Sequence, residues 1–225
     1  MAVSPMMQQY LRIKEQYKDA ILFFRLGDFY EMFFDDAILV SRELELTLTG
    51  KDCGLSERAP MCGVPFHAVD TYLARLIEKG YKVAICEQMS DPATTKGLVE
   101  REVIRVVTPG TVIESTMLED TRPSYLLCVC ARQKRAGVAF ADVSTGEFRY
   151  FELSDMRLSL ADELARIDPR EIITNDRAAL TACVPERAER AGTPDAETFE
   201  YPRAAKCLKE HFGKSITDLG LEGER

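Results

Sequence analysis

The sequence lacks a surplus of positive charge. Its 225 residues carry 29 Lys and Arg against 37 Asp and Glu, which gives a formal net charge of −8 and a pI near 5.0. Neither half of the chain is basic. A protein that coats nucleic acid over its whole surface needs many contacts between cations and phosphates, so this charge balance excludes that class. A local contact with nucleic acid through a few placed cations stays compatible with the sequence.

The sequence also has few of the histidine and cysteine patterns that metal sites and disulfide-bonded secreted proteins require. It contains two histidines, and its seven cysteines are scattered without the C-x-x-C spacing of a zinc knuckle. The odd number of cysteines and the absence of a secretion signal predict free thiols in a reducing cytoplasm. No apolar run is long enough to cross a bilayer, so we expect no membrane contact.

What the sequence does contain is the pattern of an α/β protein long enough for two domains. In the first part, periodicity predicts helices over about 5–17, 28–46 and 69–79, and strands over 20–26, 81–88 and 102–107. The segment 47–66, which is richer in Gly, Pro and Cys, is predicted to be a loop, and 111–123 a linker. The later part predicts strands over 125–131, 137–142, 147–152 and 171–174, and helices near 158–167 and 203–212.

Phe29 and Glu31 lie at the point where the pattern predicts that a strand gives way to a helix. Two interpretations fit these residues. Phe29 precedes Phe33 by four positions and can extend the apolar face of the helix, while Glu31 follows Asp28 by three and can complete a capping box. Alternatively, the helix start presents the Phe29 ring to another molecule, where it can wedge into a stack of flat rings. Periodicity alone favours packing and capping.

Five segments resemble the MutS mismatch-recognition proteins, in the family's order and near its spacing. Residues 27–31 (Gly-Asp-Phe-Tyr-Glu) resemble the Phe-x-Glu signature, and the other matching segments are 60–69, 83–88, 91–101 and 105–111. The resemblance is dense over about 5–115 and weaker over 124–215. It implies an α/β fold with a mixed-sheet mismatch-recognition domain over 1–115, a linker over 116–123 and a ribonuclease H-like connector domain over 124–225, truncated in this chain.

The resemblance implies recognition of mismatched or unpaired bases in duplex DNA. In the family, the Phe enters the minor groove and stacks on the base while the Glu hydrogen-bonds to it, which gives these roles to Phe29 and Glu31. Unstacking a base step costs about a few kcal/mol, and a mismatch has already lost part of that stacking. The carboxylate adds repulsion from phosphates, which a base that offers a donor offsets.

Seven further residues are candidates for contact with DNA, five of them because they match positions that the family places near it. Two are cations expected to hold the backbone, three belong to a loop near the minor groove, and two belong to a loop that can hold a phosphate. In the same order they are Lys51 and Arg101; Met61, Val64 and Pro65; Thr95 and Lys96. Each group keeps a plainer alternative, namely a solvated surface charge, a loop packed on its own core, or a loop that caps itself.

The resemblance implies no catalytic residue and no cofactor on this chain. Full-length members of the family are ATPases, and their site for ATP and Mg lies beyond residue 225. Residues 213–215 (Gly-Lys-Ser) resemble the end of a phosphate-binding loop, but Leu208 stands where that motif needs glycine. The expected partners are mismatched duplex DNA, MutL through the connector domain and, in the full-length protein, a second copy.

Two other functions stay open at this point. The first is a metal-dependent nuclease in the second domain, because Asp142 ends a predicted strand and such a nuclease needs clustered carboxylates. Asp155 and Glu163 are candidate companions, although nothing in their spacing demands a cluster. The second is an interaction fragment in which the connector domain binds MutL and the first domain contributes little.

Overall fold

The structure is a computed structural model that describes residues 3–54, 56–90, 97–113 and 123–221. The chain divides into two compact units, Met1–Pro123 and Ser124–Arg225. Each unit contains a mixed β-sheet with helices packed on it, which confirms the predicted α/β class.

A six-stranded sheet forms the centre of the first unit. Its strands are β1 (Ile21–Leu26), β2 (Phe29–Phe33), β3 (Thr49–Lys51), β4 (Ala59–Pro65), β5 (Val83–Gln88) and β6 (Arg101–Val107). They lie in the order β3-β4-β2-β1-β5-β6. In this sheet β1 and β5 are parallel neighbours, and the other four adjacent pairs are antiparallel.

Helices cover both faces of this sheet. Helices α2 (Phe34–Leu44) and α3 (Val69–Glu78) pack on the face that carries Tyr30 and Met32. Helix α1 (Pro5–Gln16) packs on the other face, against Phe24 and Phe33. Because side chains alternate along a strand, Phe29 and Glu31 point to the same side as Phe33, the side of α1.

Local signals explain where α1 begins and where α3 ends. The Ser4 hydroxyl accepts a hydrogen bond from the Met7 amide at 3.4 Å, and Pro5 occupies the first helical position. After α3, Gly80 has φ of 88°, a left-handed conformation that glycine adopts without strain. The helices predicted over 5–17 and 69–79 and the strands predicted over 20–26, 81–88 and 102–107 are confirmed.

Two predictions in the first unit are wrong. The helix predicted from Asp28 begins only at Phe34, whose φ of 53° turns the chain out of strand β2. Ala37, Val40 and Leu44 do line the buried face of α2. The segment 47–66, predicted to be a loop, contains β3 and β4. These strands form because β3 pairs with β4 and β4 pairs with β2, and local periodicity does not report such distant pairing.

The second unit is built on a four-stranded sheet in the order β10-β7-β8-β9. The strands are β7 (Tyr125–Arg132), β8 (Arg135–Asp142), β9 (Glu147–Leu153) and β10 (Glu171–Thr174). The helices are α4 (Met156–Ile167), α5 (Arg177–Cys183), α6 (Pro185–Ala188) and α7 (Tyr201–Phe212). Leu160 and Leu164 of α4 pack on Leu127 and Val138 of the sheet. The strands and helices predicted for this part are confirmed.

All seven cysteines are free thiols, as predicted. In the part of the chain that the structure describes, no helix has both the length and the apolar character needed to cross a membrane.

Candidate functional site

Phe29 is the first residue after a two-residue hairpin turn, and its side chain is exposed. Leu26 pairs with Phe29 across the turn, which consists of Gly27 and Asp28. Gly27 has φ of 58° while Asp28 does not have a positive φ, a pattern typical of a type II′ turn with glycine first. Phe29 keeps 47% of its surface exposed, whereas the last two residues of β2 are fully buried.

Three hydrogen bonds hold this turn in place. Arg25 Nε donates to the Gly27 carbonyl at 2.5 Å, and the Gly27 amide donates to Gln88 Oε1 at 3.0 Å. The Phe66 amide donates to the Asp28 carbonyl at 2.9 Å. The ring of Phe29 is therefore presented from a backbone that is fixed by neighbouring strands and by the start of the segment after β4.

Arg25 links the turn to an aromatic group beside it. Its guanidinium lies 3.9 Å from the Phe66 ring centroid and 5.4 Å from that of Tyr30. It also lies 3.6 Å from Glu87 Oε1, to which the Tyr30 hydroxyl donates a hydrogen bond. Burial and this bond raise the pKa of Tyr30, so the phenol keeps its proton and acts as the donor.

Glu31 lies on the same side of the sheet as Phe29 and is paired with a cation. Its Oε2 lies 2.5 Å from Lys51 Nζ, and the two side chains are 15% and 33% exposed. Glu31 faces Gly63 on β4, where an added Cβ would lie 3.3 Å from the Tyr30 carbonyl oxygen and 3.6 Å from Glu31 Cγ. The capping-box interpretation of Glu31 is wrong, because the residue belongs to a strand.

Strand β4 carries the three predicted loop residues, which point to different sides. Met61 pairs with Phe33 and Pro65 pairs with Phe29, so both lie on the side of Phe29 and are partly exposed. Val64 points the other way and is 0% exposed, in the core under α2 and α3. Burial of the Val64 side chain leaves it no surface for a ligand, which corrects its assignment to the DNA-contacting set.

The assignment of Arg101 to DNA contact is also corrected, because its guanidinium forms hydrogen bonds within the protein. Its Nε donates to the Arg25 carbonyl at 2.7 Å, and its Nη1 donates to Gln9 Oε1 at 3.0 Å and to the Val99 carbonyl at 2.8 Å. It lies over the Phe24 ring at 5.1 Å from the centroid, and the residue is 8% exposed. Burial lowers the pKa of the guanidinium. This arrangement does not offer the cation to a phosphate.

Sequence reasoning predicts Phe29, Glu31 and Lys51 as site residues, but it gives no role to the residues that position them. Arg25, Gln88 and Gly63 carry no local signal of their role, because each acts on a neighbour that only the sheet brings close. The predicted phosphate-holding residues Thr95 and Lys96 lie outside the described residues.

In the second unit, Asp142 has a structural role. Its Oδ1 accepts hydrogen bonds from the Ser144 amide and hydroxyl at 2.9 and 2.6 Å, and its Oδ2 accepts one from the Ser124 amide at 3.3 Å. Burial opposes ionisation, but these hydrogen bonds outweigh it and lower the pKa of Asp142. Asp155 caps α4 and Glu163 pairs with Arg166. Over residues 3–54, 56–90, 97–113 and 123–221, no group of three or more His, Cys, Asp or Glu is placed to hold a metal ion.

Comparison with known proteins gives consistent matches over both units. A family model described as MutS domain I matches residues 4–116, and one described as MutS domain II matches residues 124–225. A protein of Acetivibrio thermocellus named "DNA mismatch repair protein MutS" is 61% identical over 220 residues, which is 97% of this chain and 23% of that protein. Proteins of the same name from Ruminiclostridium cellulolyticum and Clostridium novyi are 54% and 50% identical, covering 96% and 94% of the chain. The chain spans about a quarter of the length of these relatives.

Proposed function

The chain belongs to the MutS family of DNA mismatch repair proteins, and on that premise we propose that its first unit recognises mismatched or unpaired bases by inserting Phe29 into the minor groove. The main support for the proposal is the exposure of Phe29. This residue keeps 47% of its surface exposed, next to a hairpin turn that hydrogen bonds hold in place. An exposed apolar side chain adds little to the stability of the free protein. Held outward by a rigid turn, it can instead contact a flat apolar group of another molecule.

Insertion of the Phe29 ring favours sites at which the bases of the duplex unstack easily. Placing the ring between bases unstacks one step, which costs about a few kcal/mol, and contacts made by the bent duplex offset that cost. A mispaired or extra base lowers the cost because its stacking and pairing are already weakened. The fixed turn at Gly27 favours this mechanism, because little conformational entropy remains to be lost when the ring inserts.

In this proposal Glu31 contacts the selected base. It follows Phe29 by two residues on the same strand, so both side chains point to the same side of the sheet. Met61 and Pro65 lie beside them on the neighbouring strand and line the same surface. A base that offers a hydrogen-bond donor meets a carboxylate there, whereas a paired duplex offers phosphate repulsion without a matching donor.

We assign the remaining activities by family membership alone. The second unit is proposed to bind MutL, and the protein is proposed to act in the cytoplasm as a dimer. ATP hydrolysis, with its ATP and Mg, is assigned to domains that this chain does not include. No catalytic residue or cofactor is assigned to the chain itself.

The test uses a chimera in which these 225 residues replace the matching N-terminal region of the Acetivibrio thermocellus relative. Affinities are measured for a duplex with a single mismatch and for its fully paired counterpart. Phe29→Ala is expected to lower affinity for the mismatched duplex roughly ten- to a hundredfold, since stacking on one base contributes about 1–3 kcal/mol, and to abolish the preference.

Phe148→Ala is the matched control, because Phe148 is similarly exposed, at 44%, but lies in the second unit. This variant should bind both duplexes as the parent does. A Phe29→Ala chimera that folds normally and still prefers the mismatched duplex by the parental factor rules out the proposal.

A further inference from the structure

We propose that Lys51 acts in mismatch recognition as the counter-ion of Glu31 and stays paired with it when Glu31 meets a base, instead of contacting a DNA phosphate. This inference rests on the proposed function and deepens it. It makes Lys51 a positioning residue whose influence on DNA binding passes through the carboxylate of Glu31.

The ammonium group of Lys51 is paired directly with the carboxylate of Glu31. Lys51 ends the edge strand β3, pairs with Ala59 on β4, and reaches along the surface of β4 to Glu31 on the next strand. Nζ then lies 2.5 Å from Oε2, so the two groups are in direct hydrogen-bonding contact. Nζ also lies 5.8 Å from the centroid of the Phe33 ring, which places the end of the side chain over an apolar surface.

The pair leaves part of the carboxylate available. Lys51 binds Oε2, and no hydrogen bond from another described residue reaches Oε1. An ionised carboxylate offers about four acceptor positions, so Glu31 can keep Lys51 on one oxygen and accept a base donor on the other. With Glu31 lying over Gly63 and tied to Lys51, the second oxygen has a defined direction before DNA arrives.

Electrostatics favours keeping this pair intact at DNA. A carboxylate brought alone among phosphates is repelled by them, and the repulsion grows as the interface excludes water. Transfer of Lys51 to a phosphate leaves the Glu31 charge unpaired at the place where the duplex is closest, and breaking a desolvated pair is costly. The ion pair instead lessens this repulsion without abolishing it, and it presents one oriented acceptor.

A double-mutant cycle in the chimera separates the two roles of Lys51. The variants are Lys51→Ala, Glu31→Gln and the combination, each measured with mismatched and paired duplexes over a range of salt concentrations. Glutamine keeps the shape of Glu31 but removes its charge. Lys51→Ala is expected to weaken binding to both duplexes roughly three- to tenfold in the parent, and less than about twofold in the Glu31→Gln background.

Salt dependence gives a second readout, which separates a counter-ion of Glu31 from a cation that contacts a phosphate. A lysine that contacts a phosphate contributes about one to the slope of log affinity against log salt, so its loss lowers the magnitude of that slope by about one. We expect Lys51→Ala to leave the slope unchanged in the Glu31→Gln background, where no unpaired carboxylate is left to alter it. Lys79→Ala is the control, because Lys79, which follows α3, forms a 2.9 Å ion pair with Glu43 of α2 on the opposite side of the sheet and should affect neither duplex.

Equal losses of affinity from Lys51→Ala in the parent and in the Glu31→Gln variant overturn the proposal, and so does no loss in either background. A slope reduced by about one in the Glu31→Gln background assigns Lys51 to a phosphate and overturns the proposal too. A parent chimera that fails to prefer the mismatched duplex contradicts the proposed function. A failed cycle in a parent that does discriminate contradicts only the role given to Lys51.

Discussion

At the scale of single residues, the position of Glu31 depends on a residue that has no side chain. Gly63 faces Glu31 across β2 and β4, and a Cβ there would approach the Tyr30 carbonyl oxygen to 3.3 Å. Backbone atoms of paired strands cannot move apart freely, because the hydrogen bonds of the ladder fix their spacing. Glycine at this position therefore lets the Glu31 side chain lie over β4.

Gly63→Ala should displace Glu31 and weaken the pairing of β2 with β4. We expect a loss of about 1–2 kcal/mol in unfolding free energy, since overpacking of this kind typically costs about 1–3 kcal/mol. Hydrogen exchange of the β2 and β4 amides, measured by mass spectrometry, should become faster in the variant. Gly137→Ala is the control, because Gly137 lies inside β8 with nothing within 4 Å of an added Cβ. Equal stability of the two variants would contradict a steric role for Gly63.

The candidate site also indicates which residues a sequence can reveal. Phe29 and Glu31 are predicted as site residues because Gly-Asp-Phe-Tyr-Glu resembles the Phe-x-Glu signature of the family. Gln88 cannot be found in this way, because its bond to the Gly27 amide joins residues that are 61 positions apart. Val64 and Pro65 are adjacent in sequence, but strand alternation places one in the core and the other on the surface. That difference follows only once β4 is known to be a strand.

At the scale of elements, Arg101 connects helix α1, strand β1 and the segment before β6 through hydrogen bonds. It begins β6, and its guanidinium bonds to Gln9 in α1, to the Arg25 carbonyl in β1 and to the Val99 carbonyl before β6. Gln9 is itself 5% exposed, so loss of Arg101 leaves buried polar atoms without their partner. The residue therefore stabilises the end of the sheet that also carries the Phe29 hairpin.

Arg101→Ala should destabilise the first unit by about 2–4 kcal/mol, because several buried acceptors lose a charged donor. Hydrogen exchange in α1 and β6 should accelerate, while exchange in the second unit stays unchanged. The control is Arg42→Ala, since the Arg42 side chain is 72% exposed and forms a 3.4 Å contact with Glu43 at the surface. If Arg101→Ala leaves protection unchanged and instead lowers the salt slope of DNA binding, the cation acts on DNA and the structural assignment fails.

The same scale explains why the predicted start of one helix is wrong. Asp28 and Glu31 have the spacing of a capping box, and Phe29 and Phe33 have helical spacing, so every local signal favours a helix. A strand forms instead because β2 pairs with β4 over its whole length and with β1 over its first three residues. In the second unit, consecutive strands β7, β8 and β9 pair with their sequence neighbours, and there the local pattern predicts every strand.

At the scale of the whole chain, both units depend on burying groups that must stay neutral. Burial raises the pKa of the Cys62, Cys86 and Cys128 thiols to about 11, about 12 and about 11. Burial likewise raises the pKa of Tyr10 and Tyr30 in the first unit. Thiols that hold their protons so firmly are poor nucleophiles, which agrees with a structural role.

These raised pKa values predict a loss of stability in alkali. The unfolded chain releases thiol protons at about pH 8.5, whereas the folded chain holds them, so stability is complete below that pH and falls as the pH rises towards about 12. Each such thiol lowers the folding equilibrium constant by up to about tenfold per pH unit in that interval. The melting temperature, measured with a reductant present, should therefore be lower at about pH 10.5 than at about pH 8, and Cys86→Ala should reduce the difference.

Cys207→Ala is the control, because it removes an exposed thiol and should leave the difference as it is. Equal melting temperatures at the two pH values would mean that the buried thiols and phenols ionise as easily in the folded chain as in water.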